Sequence, residues 1–520
     1  MPPNGVVGRV AAVLRRTWAR IRGLPWRRFA AGGAAGASAL LLTFLLRLFG
    51  LGVFLPEVAV DFAVGLVPGS VEAAFIRVMG GGAKVLAFVV AVVLVLSAYG
   101  VGAVFYRRVE RLFAKRRWYV FAAYTFGPAL AILLVVLPLI GGGLAGSATY
   151  QGAWAAGFSQ LLGAWLYAAV LDHFFVEIAK RHPEGFQVSR RNFLKWVVAS
   201  AALAVVMVYV VGRSIPQVAR LKFATIAALF AKEVTPTDEF YVVTKNVIDP
   251  MVDGGTWRLA IDGLVQTPRS YTYAELLAAV PMEEYATLEC VSNEVGGNLI
   301  STAKWSGIPL GTLIDDSIPE LTADWVLFSC ADGYTVAIPL AKARESPTLL
   351  ALRMNDEPLR GNHGFPARAF VPGKYGMFSA KWLTRITVVR GEVLGFWQQK
   401  GWTNRGDVRP TAIVTTPPAD SVVSGTTRIG GIAYAGARGV SAVEVSTDGG
   451  ASWSAATLKS PPLSWLSWVL WTFDWTPPGP GSHRVMARMV DRAGVPQEAA
   501  KNPPFSQGAS GYDAITLLVP

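Results

Sequence analysis

Apolar residues are spread unevenly along this chain of 520 residues. Up to about residue 212 they run in long, nearly uncharged stretches. Beyond that point they recur in short runs broken by turn residues. A hydrocarbon core of about 30 Å takes about 20 apolar residues as a helix. Five stretches suit it: 29–55, 84–105, 118–144, 153–176 and 196–212. The piece 58–78 is also apolar, but Asp61, Pro68, Glu72 and Arg77 interrupt it, and it reads as an interfacial or re-entrant segment.

The remainder divides in two. After a connector (213–234) with an amphipathic stretch, β-rich runs at 240–243, 257–261, 325–329, 334–338, 367–371 and 383–389 alternate with helix-like pieces at 273–280 and 340–344. That predicts a mixed α+β domain over 235–408. From 409 the pattern shifts to closely spaced strands at 421–423, 427–433, 442–446, 468–475, 483–491 and 514–519, with Asp448-Gly449-Gly450 as a hairpin turn. This predicts an immunoglobulin-like β-sandwich over 409–520, with Trp453, Trp465, Trp468, Trp471 and Trp475 to fill its core.

Charge orients the apolar part. Only 16% of residues are charged, against about 25% in soluble domains, so the chain is not wholly soluble. Residues 1–212 carry 21 Lys and Arg against 7 Asp and Glu; residues 213–520 carry 27 against 28. The net +13 therefore lies in the membrane half, which excludes the basic soluble face of a nucleic-acid binder. Within that half it falls on alternate loops. Arg9, Arg15, Arg16, Arg20, Arg22, Arg27 and Arg28 precede the first span, and Arg107, Arg108, Arg111, Lys115, Arg116 and Arg117 follow the second. Lys180, Arg181, Arg190, Arg191 and Lys195 follow the fourth, while the opposite loops offer only Arg77 and Lys84. Cytoplasmic loops are the positive ones, and five spans then put 213–520 on the extracytoplasmic side of the cell membrane.

Ser189-Arg190-Arg191-Asn192-Phe193-Leu194-Lys195 stands before the moderately apolar run 196–212. It matches a twin-arginine export signal, an address read by the twin-arginine translocase. That route carries folded proteins, often already loaded with a cofactor. Two cysteines and four histidines exclude a thiolate cluster and leave little for a histidine-built centre. His173 alone stands near a span, so no haem is expected on this chain. The outer half has neither a G-x-S-x-G elbow nor an H-E-x-x-H pair.

Two blocks remain. One is Leu288-Glu289-Cys290-Val291-Ser292-Asn293, followed by Asn298-Leu299-Ile300-Ser301-Thr302-Ala303-Lys304-Trp305-Ser306-Gly307. The other is His363-Gly364-Phe365-Pro366-Ala367-Arg368, followed by Val371-Pro372-Gly373-Lys374-Tyr375-Gly376-Met377-Phe378-Ser379-Ala380-Lys381-Trp382. In this order, and with Val443-Glu444-Val445-Ser446-Thr447-Asp448-Gly449-Gly450 beyond them, they resemble the sulfite oxidase family of molybdopterin-dependent oxidoreductases, in a membrane-anchored prokaryotic branch. The resemblance implies a multi-domain chain: a five-helix transmembrane region (1–212), an α+β molybdopterin-binding domain (235–408) and a C-terminal immunoglobulin-like sandwich of the dimerisation type (409–520).

The resemblance also assigns residues. Cys290 matches the single protein thiolate on molybdenum, a soft ligand beside the two sulfurs of the pterin. His363 and Arg368 match positions that hold the pterin and its phosphate, where a guanidinium forks onto oxygen. Ser379 and Lys381 match the segment closing over the pterin, and Lys374 fits an electropositive rim or an exposed charge. Cys330 falls where relatives place a small polar pterin contact, or is a core thiol; it and Cys290 are expected to stay unpaired. Lys245 and Asn246 fall in a cofactor and substrate segment, Lys245 with a catalytic role, or in a solvated turn. Glu294 stands four residues after the thiol, where sulfite-oxidising members carry paired Arg, and would repel sulfite.

The reading is of a membrane-anchored, outward-facing oxidoreductase performing two-electron oxo transfer on a small substrate, sulfur-containing by resemblance. Electrons would pass to a cytochrome or a quinone-linked membrane partner, and the chain would form a homodimer. Two alternatives stand beside it. One is a methionine-sulfoxide-type reductase, echoed by Lys374-Tyr375-Gly376; the other is a non-catalytic exported binding or assembly module.

Overall fold

The computed structural model describes residues 26–79, 82–114, 116–177, 219–279 and 281–520. The chain forms two compact units: 1–66 with 84–214 and 246–248, and 67–83 with 215–245 and 249–520. The export motif at 189–195 and the fifth expected span at 196–212 lie outside the described residues.

The first unit is helical. Four helices are long and apolar enough to cross a membrane: Arg28–Leu48, Gly82–Val104, Arg117–Leu139 and Gly152–Phe175. They coincide with the first four expected spans. Small residues let them approach closely, as suits packing without a hydrophobic driving force: a Cβ on Gly32 would stand 2.4 Å from that of Ala103. Outward residues such as Leu94, Val135 and Leu139 stay exposed. The expected non-spanning piece folds as two short helices, Leu55–Leu66 in this unit and Gly69–Met79 in the second. Glu57 sits in a buried bidentate ion pair with Arg47, both oxygens at 2.7 Å.

The second unit opens with ten strands: β1 (Arg258–Gly263), β2 (Arg269–Thr272), β3 (Met282–Glu289), β4 (Ile300–Pro309), β5 (Trp325–Cys330), β6 (Thr335–Pro339), β7 (Leu349–Met354), β8 (Glu357–Pro358), β9 (Arg368–Phe370) and β10 (Leu383–Val389). One sheet runs β2-β1-β10-β5-β6, with β1 and β10 parallel. The other runs β3-β4-β7-β8, with β9 also on β7. In β5 alternate residues Val326, Phe328 and Cys330 turn inward, the period-two pattern of a half-buried strand. β4 is buried nearly throughout, so it shows no alternation. The run 240–243 is no strand: Phe240 N–H closes a turn onto the Pro236 carbonyl at 3.0 Å, and Tyr241 N–H bonds the Ser301 hydroxyl.

Eight further strands follow: β11 (Thr411–Thr416), β12 (Thr427–Tyr434), β13 (Val440–Ser446), β14 (Ser454–Ala455), β15 (Thr457–Leu458), β16 (Val469–Trp475), β17 (Gly481–Asp491) and β18 (Asp513–Val519). They make two four-stranded antiparallel sheets, β11-β12-β16-β15 and β14-β13-β17-β18, enclosing one core of Val414, Ile429, Val443, Val485, Ile515 and their neighbours. The 421–423 run forms no strand, although Val423 N–H bonds the Leu518 carbonyl. Of the five expected core tryptophans only Trp471 and Trp475 belong to this core. Trp465 is exposed, and Trp453 is half-buried beneath Arg488. Trp468 is buried in a separate cluster with Val291, Ile300 and Tyr375. That cluster lies behind β3: Tyr434 donates to the Thr287 carbonyl and Trp468 N–H to the Thr287 hydroxyl, both at 2.8 Å.

Candidate functional site

β3 ends at Glu289, which pairs with Ile300 of β4, so Cys290 begins the loop between two strands held in register. Its N–H donates to the Leu299 carbonyl at 2.9 Å, and its carbonyl accepts from Asn293 N–H at 3.0 Å. The buried Asn293 side chain closes the loop, accepting from Leu299 N–H at 3.0 Å and donating to the Glu289 carboxylate at 3.1 Å. The thiol is buried and unpaired, 3.0 Å from the Ser292 hydroxyl. Burial pushes its pKa up, and the Ser292 hydrogen bond counters in part. Burial also lifts Glu289 to about 7.

Three phenols share this interior. Burial holds Tyr241 well above the usual phenol range, and the Cys290 thiolate adds to the effect. Tyr334, whose hydroxyl donates to the Met377 carbonyl at 2.7 Å, is raised by burial and then by Cys330, Asp332 and Cys290. Tyr375 is raised by burial, then Glu289, with a smaller contribution from Cys290. Sequence reasoning gave none of the three a role of its own, because a tyrosine carries no local signal of what it faces.

The second block builds a cationic wall. Arg368, on β9, is buried; it donates to the His363 carbonyl at 3.2 Å and the Ser379 carbonyl at 2.8 Å, and lies 5.2 Å over the Trp305 ring. Among the described residues its Nε has no partner. Burial lowers its pKa to about 10, against the pull of Tyr241 and Cys330. Lys381 donates to the Asn362 carbonyl at 3.0 Å and stands 4.4 Å over Trp382; burial brings it to about 8. Cys330, at the end of β5, is raised by burial and by Asp332, while Lys245, Arg368 and Lys381 pull it down. These four groups therefore lie together. Lys245 also stands 5.5 Å over the Phe396 ring.

His363 is buried, its Nε2 donating to the Thr237 carbonyl at 3.1 Å, and burial depresses it to about 4, so it is neutral at pH 7. The Ser379 hydroxyl is engaged by Val371 N–H at 3.0 Å, so its part here is to fix the backbone that receives Arg368. Asn246 is buried, and its carbonyl accepts from Lys84. Lys374 forms no free rim, being paired with Asp407 at 2.7 Å. Glu294 is not in a pocket with the thiol. It is exposed, and lines a cleft of about 490 Å³ with Arg220, Arg484, Lys501 and Asp513.

Among the described residues no three His, Cys, Asp or Glu side chains gather as a metal cage. A metal here would need most of its ligands from a cofactor, with one thiolate from the chain. The chemistry of the wall fits an anionic cofactor, since a buried guanidinium with an unpartnered N–H is costly unless an anion completes it.

Comparisons agree with this chemistry. Residues 246–397 match the oxidoreductase molybdopterin binding domain, and 405–502 the Mo-co oxidoreductase dimerisation domain. The chain is 31% identical to sulfite oxidase of Arabidopsis thaliana over 51% of its own length and 83% of that protein. It is 32% identical to mitochondrial sulfite oxidase of Homo sapiens over 50% of its length, but spans only 56% of the human protein. Among solved structures, the sulfane dehydrogenase SoxCD from Paracoccus pantotrophus aligns with a TM-score of 0.49 and 22% identity, over 54% of this chain and 80% of that one.

Proposed function

Because this chain belongs to the sulfite oxidase family of molybdopterin-dependent oxidoreductases, we propose that it is a membrane-anchored enzyme that oxidises a small sulfur oxyanion outside the cytoplasmic membrane. A molybdenum oxidoreductase with a molybdopterin cofactor is what the family establishes. The cofactor, when bound, supplies the two-electron oxo exchange.

The chain's own residues do the rest. Cys290 gives the thiolate to molybdenum, and the strand register and the Asn293 hydrogen bonds fix where that sulfur stands. Arg368 and Lys381 receive the pterin phosphate, with Ser379 and His363 holding Arg368 in place through their carbonyls. Lys245 and Cys330 line the same wall, and Asn246 follows Lys245 in the chain. Tyr241 stays protonated, so it can donate a hydrogen bond toward substrate oxygen without adding negative charge. An anionic substrate is supported because Glu294, the carboxylate that would have opposed it, faces a different cleft.

Alternating basic loops support the outward orientation of the catalytic unit, with five spans and twin-arginine export. Electrons then leave to an external cytochrome or a quinone-linked membrane protein, and the C-terminal sandwich, immunoglobulin-like in its layout, pairs two copies.

The observation that carries this reading is the buried thiol of Cys290, held outside any disulfide in the loop between β3 and β4. Detergent-purified protein is expected to hold about one molybdenum per chain and to oxidise sulfite with an artificial acceptor. Cys290→Ser should fold yet lose turnover. Full turnover in that variant would overturn the ligand assignment. Reduction of methionine sulfoxide by a reduced dye, with no sulfite activity, would overturn the substrate class.

A further inference from the structure

The loop that carries Cys290 is gripped from two sides. On its inner side Asn293 ties Leu299 to Glu289. On its outer side lies the extended segment 219–223, which follows the region read as the fifth span. Asn298 N–H donates to the Ala219 carbonyl and Leu221 N–H to the Gly296 carbonyl, both at 2.9 Å, while Ala219 N–H bonds the Asn298 side-chain oxygen at 2.9 Å. Arg220 and Gly297 form the bridge between these bonds.

Arg220 then reaches past the loop. Its guanidinium makes a two-pronged pair with Asp513, Nη1 to Oδ1 at 2.9 Å and Nη2 to Oδ2, and adds a bond to the Val414 carbonyl at 3.1 Å. Asp513 is 2% exposed and also accepts from Val414 N–H at 2.9 Å. Gly296 is pressed against this pair: a Cβ there would stand 2.5 Å from Asp513 Oδ1 and 2.6 Å from Arg220 Nη1, and its φ of +77° already favours glycine. The neighbouring Gly297 has Asn293 Oδ1 where its Cβ would be, at 2.4 Å. Contacts thus run without a gap from Asp513 through Arg220, Gly296 and Gly297 to Asn293, whose own N–H rests on the Cys290 carbonyl.

We propose that segment 219–223 is a working part of the metal site, not a plain tether, and that Arg220 is a positioning residue setting where the Cys290 sulfur stands. A tether needs only length. This one contributes three backbone-directed hydrogen bonds to a single loop and a mostly buried ion pair on its far side. Bidentate guanidinium–carboxylate geometry is directional, so it fixes orientation as well as distance. The inference rests on the reading of Cys290 as ligand.

The test uses the full chain in detergent, with alkylation at Cys290 read from its own peptide by mass spectrometry, on protein prepared both with cofactor and from cells unable to make it. The first measurement concerns the ligand reading alone. In otherwise unchanged protein the loaded form should resist iodoacetamide and the cofactor-free form should react; equal reactivity would overturn that reading whatever Arg220 does. The second concerns Arg220. Arg220→Gln should raise Cys290 alkylation several-fold in the cofactor-free form, shift the Mo(V) resonance of the loaded form, and lower kcat about 10- to 100-fold with KM held within about twofold. Arg220→Lys should recover part of each. Arg428→Gln, which breaks the exposed pair between Arg428 of β12 and Asp474 of β16, serves as control. If Arg220→Gln does not accumulate folded, Asp513→Asn carries the same readouts. Alkylation and resonance no different from the control would overturn the proposal.

Discussion

Arg368 gives one guanidinium nitrogen to the Ser379 carbonyl at 2.8 Å, yet among the described residues its buried Nε has no partner and no carboxylate answers its charge, so neutral dipoles orient the cation. An isolated buried cation destabilises a fold, whereas a charge pair lost from a binding site costs about 2–5 kcal/mol. Arg368→Met should therefore weaken retention of the cofactor by about 30-fold or more while leaving the cofactor-free chain as stable as before, or slightly more so. Molybdenum per chain after exhaustive dialysis, beside thermal unfolding of the cofactor-free form, checks both halves. A large loss of stability with full molybdenum would make Arg368 a structural residue instead.

His363 has its pKa depressed from 6.5 to about 4 by burial. Between those values the unfolded chain binds a proton that the folded chain refuses, so this group makes stability rise with pH from about 4 to about 6.5 and adds no slope above. The shift corresponds to about 3 kcal/mol over that window. His363→Gln should flatten this part of the profile. Urea midpoints of the cofactor-free chain followed by tryptophan fluorescence from pH 4.5 to 7.5 test it; an unchanged slope would mean that another group sets it.

Legibility followed locality. Cys290, His363, Arg368, Ser379 and Lys381 were singled out because each sits inside a contiguous motif. Strands such as β5 and β10 were found because one face is buried and the other is not, which writes itself as alternation. β4 was missed for the opposite reason, both its faces being covered, and β3 because its first half is polar at Glu283 and Glu284. What a side chain faces across the fold was not readable. Lys374 looked like a free cation until Asp407, 33 residues on, was seen beside it. Glu294 looked like a pocket carboxylate, but the loop after Asn293 turns away toward Arg220. The tryptophans of 453–475 share a composition and not an environment; only those of β16 with inward register reach the sandwich core.

Cys330 is buried at a strand end and adjoins both the first sheet's core and the cationic wall. If its role is packing beside the pterin, serine should serve almost as well. Cys330→Ser is expected to keep molybdenum content and to change kcat by less than about tenfold, at a stability cost of about 1 kcal/mol. Non-reducing gels of the unaltered chain should show no internal disulfide. Loss of the metal centre in this variant would promote Cys330 to a direct ligand role.

Gly376 has the Tyr241 hydroxyl 2.5 Å from where a Cβ would stand. Alanine, at the start of the short 3₁₀ turn Gly376–Phe378, would push that phenol out of its place near Cys290. Displacements of about 1 Å near reacting groups can cost about 100-fold in rate. Gly376→Ala should therefore fold and hold molybdenum, yet lose about 10- to 100-fold in kcat/KM for sulfite. Wild-type turnover would show that Tyr241 does not face the substrate.

Export and topology can be separated at one pair of residues. Exchanging Arg190 and Arg191 for lysine keeps every positive charge in that loop, so the bias that orients the spans is unaltered. The translocase, however, reads arginine chemistry and not charge alone. The doubly substituted chain is expected to insert its first four spans normally and to leave its catalytic unit in the cytoplasm, loaded with molybdenum. Protease added to spheroplasts should then spare residues beyond 219, and sulfite oxidation should appear only after the cells are opened. If that unit still reached the outside with its metal, the arginines would be ordinary members of a basic loop, and the argument that the enzyme crosses the membrane already folded would lose its support.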